Sequence, residues 1–414
     1  MPPTSPAVLV IGLTNQDNRT RFIQALGYRA LLFTGQVTME EMLTADAPVE
    51  IDLSDEQRVH DQALRLAQRF DIRALYSLNE YRVPLAAQIA EELSLPFSLS
   101  VEAALNCRSK KRTRQLFAAH SVPLAEFRLV RSSADALAAL AEIPLPVIVK
   151  PSNEAGSAFV TRCDTPAEVV AAIAAIQRAG RNFGGQALDP DILVEEFLVG
   201  PEFSVEAVTA AGRTTVLAIT AKHLLPGTTI EIGHSVPAQI SADDAQAIER
   251  VVTAGLAALG VEHIVSHTEV KLTPSGPRII EVNARPGGDY IPALVAAVTG
   301  YDLYELALHA ALGHPIEAAP RHAPQTESAA VRFLYAPEEG IVSMNDPELI
   351  VGAPGLQQLH MRVAPGGYVL RTSSNYNRLG HLIAHATPER SADQVAEQAL
   401  RQIDLHVWEQ RAAA

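Results

Sequence analysis

The chain has 414 residues, with 47 acids against 33 lysines and arginines, a net charge of −14, 48% hydrophobic and 19% charged residues. This balance excludes a long disordered region and argues against a nucleic-acid partner, whose phosphates require a basic face. Only two cysteines, no apolar run of the ~18–20 residues a membrane span needs, and no basic leader point to a globular cytoplasmic protein of about two to four units, away from membranes.

Ala7–Gly12 is a buried-strand run ending in glycine, followed by a helix from about Asn18 to Leu26, capped by Gly27, and a second strand at Arg29–Phe33. Helix Glu56–Phe70, strand Ala74–Ser77 and helix Val83–Leu93 continue the alternation, so a parallel sheet covered by helices is expected. No Gly-x-Gly-x-x-Gly fingerprint accompanies it. Asn79-Glu80-Tyr81 lies just past a strand's carboxyl end, where open α/β sheets place ligands. The basic run Cys107–Phe117 opens a helix on which Lys110 and Arg114 share a face at i, i+4. It suits either a solvated helix start or a pair aimed at phosphates.

A helix over Ala134–Ala141 precedes a strand, Leu145–Pro151, which ends in Lys150; a lysine in apolar surroundings needs an anion. The loop Ser152–Ser157 follows, then helix Pro166–Arg178, a polar loop Gly180–Leu188, and a strand Asp191–Leu198 that contains Glu195 and Glu196. Adjacent strand residues face opposite ways, so those two acids cannot serve one ligand. A returning strand carries Glu202 and Glu206, and Val216–Lys222 reads as another. Thr229–Ser235, with Glu231 and His234 around a glycine, reads as a loop before helix Asp243–Leu259. After a linker from His314 to Pro324, strands are expected at Ala329–Tyr335, Gly355–Met361 and Leu382–Thr387, then a helix Ser391–Val407.

The most informative stretch is Val265–Asp289. Two short apolar runs flank Thr-Pro-Ser-Gly-Pro, the pattern of a β-hairpin. Glu269 and Glu281 then stand on adjacent strands, with Asn283 and Arg285 following at the strand period and Gly287-Gly288 after them. Hard oxygen ligands with a guanidinium nearby describe a Mg²⁺–nucleotide site, although the same pattern suits a solvated hairpin. His263, His267 and Glu269 make a poorer zinc site, since oxygen ligands dominate.

Glu269 followed by Glu-Val-Asn-Ala-Arg-Pro-Gly-Gly (281–288) resembles the metal-binding strands of the ATP-grasp superfamily. More narrowly, with residues 289–313, it is similar to the L-amino acid ligases, carboxylate–amine ligases that make dipeptides. The resemblance implies an α/β ATP-grasp fold: an N-terminal parallel α/β domain (1–105), a small lid subdomain (106–194), a large catalytic subdomain (195–318) and a C-terminal α+β domain (319–414). It implies ATP, two Mg²⁺ ions with Mn²⁺ as a substitute, small-molecule amino-acid substrates, an acyl-phosphate intermediate and, as is common in the family, a homodimer. Glu269, Glu281 and Asn283 would hold metal. Lys110, Lys150, Ser157, Glu195, Glu196, Phe197, Leu198 and Glu202 would hold the nucleotide, Glu195 facing the adenine amine and Glu202 the ribose. Glu231 would meet the substrate ammonium and His234 the acyl phosphate; Arg285 with Gly287 and Gly288 would stabilise the oxyanion, and Asp289 or His234 would serve as base. The rival readings are an ATP-grasp carboxylase or formyl-transfer ligase, and a catalytically silent nucleotide-binding module.

Overall fold

A computed structural model describes residues 5–12, 20–96, 99–314, 320 and 322–408 and arranges them around four sheets. The first holds β1 (Pro6–Ile11), β2 (Arg29–Thr34), β3 (Ala47–Glu50) and β4 (Asp71–Ser77), all parallel, in the order β3-β2-β1-β4. Strand alternation sorts its apolar residues onto two cores. Leu9, Ile11, Leu31 and Phe33 pack with helices Glu56–Ala67 and Val83–Glu92, while Val8, Val10, Ala30 and Leu32 meet Ile23 and Leu308. Leu308 belongs to helix Leu303–Leu312, so the far part of the chain covers one face of the N-terminal sheet. The sequence reading missed β3 and helix Met39–Thr44, which are too short to show a period. The first helix runs Thr20–Ala25, and the start expected at Asn18 lies outside the described residues.

The second sheet is antiparallel, β5 (Phe127–Val130), β6 (Val147–Pro151), β7 (Thr161–Cys163) and β8 (Ile192–Glu196), in the order β5-β8-β6-β7. Helix Pro166–Ala179 backs it; a Thr165/Glu168 capping box starts that helix, and Gly180 at φ +66° ends it. β8 keeps pairing through Glu196, and residues 197–201 lead from it into β9.

The remaining strands are β9 (Glu202–Ala210), β10 (Arg213–Leu224), β11 (Glu231–Val236), β12 (Ile264–Thr273), β13 (Gly276–Asn283), β14 (Ala329–Leu334), β15 (Gly340–Ser343), β16 (Leu356–Met361), β17 (Tyr368–Val369), β18 (Gly380–His385) and β19 (His406–Trp408). Eight of them form one sheet, β13-β12-β9-β10-β11-β14-β18-β16, and three form a small one, β17-β15-β19. The C-terminal strands β14, β18 and β16 therefore extend the hairpin's own sheet. On β9, Phe203, Val205 and Ala207 pack against helix Ala242–Ala258, which leaves Glu202, Ser204 and Glu206 on the opposite face. That polar face is where the site is built.

Two expectations give way here. Glu231–Val236 is strand β11, paired with β10 and β14, and not a loop; the expected C-terminal helix ends at Ile403, where Asp404 at φ +49° turns the chain into β19. The linker expected from His314 to Pro324 lies largely outside the described residues. Among those described, no single helix is long and apolar enough to cross a membrane; the apolar pair Ile291–Thr299 and Leu303–Leu312 bends by 92° and is packed in the interior.

Candidate active site

Between the second sheet and the polar face of the eight-stranded sheet lies a cavity of about 660 Å³. Lys150, the loop from Glu154 and the β8 end at Glu195–Leu198 form one wall. Glu202, Lys222, Glu231, Glu269 and Glu281 form the other, and residues 371–373 of the C-terminal region close the rim. Glu269 and Glu281 stand directly opposite each other in the β12–β13 register, as do His267 and Asn283. Opposed residues in an antiparallel pair share a face, so the two acids reach the cavity together.

Lysines hold these acids. Lys110 Nζ is 3.0 Å from Glu281 Oε1 and donates to the Glu154 carbonyl at 2.7 Å. The structure also brings in a residue the sequence reading passed over. Lys222, 3% exposed at its side chain, places Nζ 2.9 Å from Glu202, 3.2 Å from Glu231 and 3.1 Å from Glu269. Burial opposes its charge, but three carboxylates outweigh burial and hold the ammonium protonated well above its usual range. Burial likewise works against Glu269, whose carboxyl Lys222 and His267 nevertheless hold far below the ordinary range. A signal for Lys222 was present: a lysine closing an apolar strand, the argument that had singled out Lys150.

Lys150 and Arg114 share one partner. Glu195 Oε2 is 2.6 Å from Lys150 Nζ, and Arg114 Nε donates to Oε1 at 2.8 Å, all three groups being buried. Burial opposes the Glu195 charge, but the two cations bring its pKa down to about 2. Glu195, expected at the adenine amine, is thus first the counter-ion of Arg114 and Lys150. Glu196 points the other way and is exposed, as alternation requires. Phe197 has Arg162 4.4 Å and Lys271 5.6 Å from its ring centre, Leu198 is buried beside it, and Glu202 also has Lys271 at 3.4 Å. Ser157, at φ +58°, lines the cavity.

Arg285 lies off the cavity lining; its Nε donates to Glu80 Oε2 at 2.8 Å, and its Nη1 to the Pro286 carbonyl at 2.8 Å. The Gly287 N–H donates to buried Glu206 at 3.2 Å, and a Cβ there would stand 2.7 Å from His267 Nδ1. Glu206 also binds His267 Nδ1 at 2.5 Å. Gly287 is therefore glycine for close packing, and its N–H is not free for the oxyanion role expected of it. Gly288 has open space around its Cα.

His234 lies 3.2 Å from Glu231 and 4.0 Å from Asp289, while Arg378 grips Asp289 through two bonds of 2.8 and 2.7 Å. Burial opposes the imidazolium, but Asp289 and Glu231 outweigh it and raise the His234 pKa; burial also opposes the Asp289 charge, which His234 and Arg378 stabilise. Arg378 already occupies both oxygens of Asp289, which weakens that carboxylate as a base. The ligand atoms of Glu231, His234 and Asp289 lie within 4.8 Å of one another, but Lys222 and Arg378 already neutralise the acids. Glu269 and Glu281, opposed on the cavity wall, offer a second pair of hard oxygens, and they too have ammonium partners, in Lys222 and Lys110.

Residues 143–293 match the family model of the ATP-grasp domain, and residues 332–407 that of L-amino acid ligase C-terminal domain 2. The chain is 27% identical over 377 residues to dapdiamide A synthase of Enterobacter agglomerans, covering 87% of each. It is 28% identical over 272 residues to alanine–anticapsin ligase of Bacillus subtilis strain 168, covering 61% of this chain and 57% of that one. The crystal structure of an L-amino acid ligase from Bacillus licheniformis superposes with a TM-score of 0.81 at 23% identity, over 99% of this chain and all of that one. The chain thus carries an ATP-grasp domain followed by an L-amino acid ligase C-terminal domain, the make-up of an ATP-dependent carboxylate–amine ligase.

Proposed function

We propose that the protein joins the carboxylate of one amino acid to the amine of a second through an acyl phosphate, releasing ADP and phosphate. The observation that carries this reading is the pair Glu269 and Glu281, opposed on the wall of a cavity that Lys110, Lys150 and Lys222 also line. ATP enters between the sheets with its base toward Phe197 and Leu198 and its ribose toward Glu202. Lys110, Lys150 and Lys222 offset phosphate charge, each exchanging an acid partner for a phosphate oxygen. Glu269, Glu281 and Asn283 would hold two Mg²⁺ ions, or Mn²⁺ in their place, which neutralise the β- and γ-phosphates when bound.

The first substrate's carboxylate attacks the γ-phosphorus, ADP leaves, and the acyl phosphate forms. The amine of the second substrate then attacks the acyl carbon and phosphate departs. Glu231, paired with Lys222 and His234, is an acceptor for the first substrate's ammonium, and Arg285 keeps guanidinium donors beyond its Glu80 bond for the developing oxyanion. Both cysteines are buried free thiols, which suits a reducing, cytoplasmic setting.

The test is ADP release measured across the twenty amino acids, singly and in pairs, with the product mass recorded. A pair-dependent amide supports the reading. Dependence on bicarbonate or formate would make it a carboxylase or formyl-transfer ligase, and ATP binding without turnover a silent module.

A further inference from the structure

The loop Ser152–Ser157 lines the cavity beside Lys110 and Lys150, which the proposed site sets against phosphate, and this phosphate loop carries an acid, Glu154. A free carboxylate there would repel the nucleotide, so Glu154 requires a physical account. It is 2% exposed, and three donors hold its carboxylate: the Tyr81 hydroxyl at 2.5 Å, the Ala155 N–H at 2.9 Å and the Phe183 N–H at 3.2 Å. Its carbonyl accepts Lys110 Nζ at 2.7 Å, the same ammonium that faces Glu281.

Close packing surrounds this contact. Arg108 lies 4.8 Å from the centre of the Tyr81 ring and donates to the Asn153 carbonyl at 2.5 Å. A Cβ on Gly184 would stand 2.3 Å from the Tyr81 ring, and one on Gly156 2.6 Å from the Tyr376 hydroxyl. Two glycines thus let the loops of the second sheet seat against aromatic rings from the N-terminal and C-terminal parts of the chain. Tyr81 belongs to the short turn Glu80–Arg82, and the residue before it, Glu80, holds Arg285. One turn therefore touches the phosphate loop and Arg285 through consecutive side chains.

We propose that Tyr81 is a positioning residue, a latch that holds the phosphate loop shut through Glu154 and so keeps water from the activated acyl group; this rests on the ligase reading above. With the latch made, the acid's charge is taken up by donors from three segments, and the loop carbonyl orients Lys110. With it broken, the loop lifts and the acid turns toward the nucleotide. Water then attacks the acyl carbon, the bond from that carbon to the phosphate oxygen breaks, and free carboxylic acid and phosphate leave without an amide.

The test compares the full chain with its Tyr81→Phe variant, which keeps the ring against Gly184 and Arg108 and loses only the hydroxyl. Without nucleotide, backbone hydrogen exchange over 152–159 and 181–186 is expected to quicken by about tenfold, and β9 and β12 to stay unchanged. In turnover, the KM for ATP is expected to rise by about tenfold with a smaller change in kcat. Phosphate released per amide should climb above one. A Tyr81→Phe/Glu154→Ala double variant should be no worse than Glu154→Ala alone. Wild-type exchange in both segments, an unchanged phosphate-to-amide ratio, or additive losses in the double variant would overturn the latch. If the wild type forms no amide, the ligase reading fails, while the exchange and double-variant arms, the latter read by ATP-analogue binding, still decide the latch.

Discussion

Lys222 shows how one buried charge organises its neighbours. Replacing it with methionine strands Glu202, Glu231 and Glu269 without their shared cation, and breaking a buried pair from one side costs roughly 3–5 kcal/mol. A lowered denaturant midpoint together with weakened ATP binding is the expected outcome; an unchanged midpoint would show that the acids relax into solvent. Glu281→Gln keeps the shape and removes a hard anionic ligand, so Mg-ATP turnover should drop by about 100-fold or more with the unfolding midpoint retained. Retained turnover would remove Glu281 from the metal site. Glu195 gives a pH signature. Its folded pKa of about 2 lies below the ordinary 4.5, so its stabilising effect is complete above pH 4.5 and fades as pH falls toward 2. The stability gap between wild type and Glu195→Gln, followed by denaturant titration at successive pH values, should close in that window and not above it.

At the level of elements, β9 divides its residues by parity, apolar toward helix Ala242–Ala258 and acidic toward the cavity. The β12–β13 hairpin follows the same rule, and its alternation and Pro/Gly turn made the two acids legible from sequence because both signals are local. β11 was not legible. Gly233 reads as a loop residue, yet it is glycine because a Cβ there would stand 2.6 Å from the Val331 carbonyl and 2.8 Å from the Arg332 side chain. Such an approach depends on β14, nearly a hundred residues on, and no window around residue 233 contains it. The partners of Lys222 were hidden for the same reason, since strand order decides which acids meet it. Glu206, His267 and Gly287 form a further contact set by topology. Gly287→Ala forces a Cβ against His267 and Glu206, at an expected cost of about 1–3 kcal/mol, read from thermal unfolding. An unshifted transition would mean the turn has room to move.

Across the whole molecule, the nucleotide cleft is assembled from every part of the chain. The turn after the N-terminal sheet contributes Glu80 and Tyr81, the second sheet Lys150 and Glu195, the eight-stranded sheet its acids and Lys222, and the C-terminal region brings Arg378 to Asp289. Helix Leu303–Leu312 packs on the N-terminal sheet through Leu308 and against the eight-stranded sheet through Leu303 and Leu306, so one helix joins the first and third sheets. The ammonium of Lys222 bears on more than stability. It stands between an acid assigned to the ribose, one assigned to the incoming amino acid and one assigned to the metal, and a single charge cannot satisfy all three once any of them acquires a new neighbour. Occupancy at one corner must then alter affinity at the other two, by equal factors in each direction. Calorimetric titration of the amino acid with and without Mg-ATP analogue would reveal the exchange as a change in affinity that the Lys222→Met variant loses.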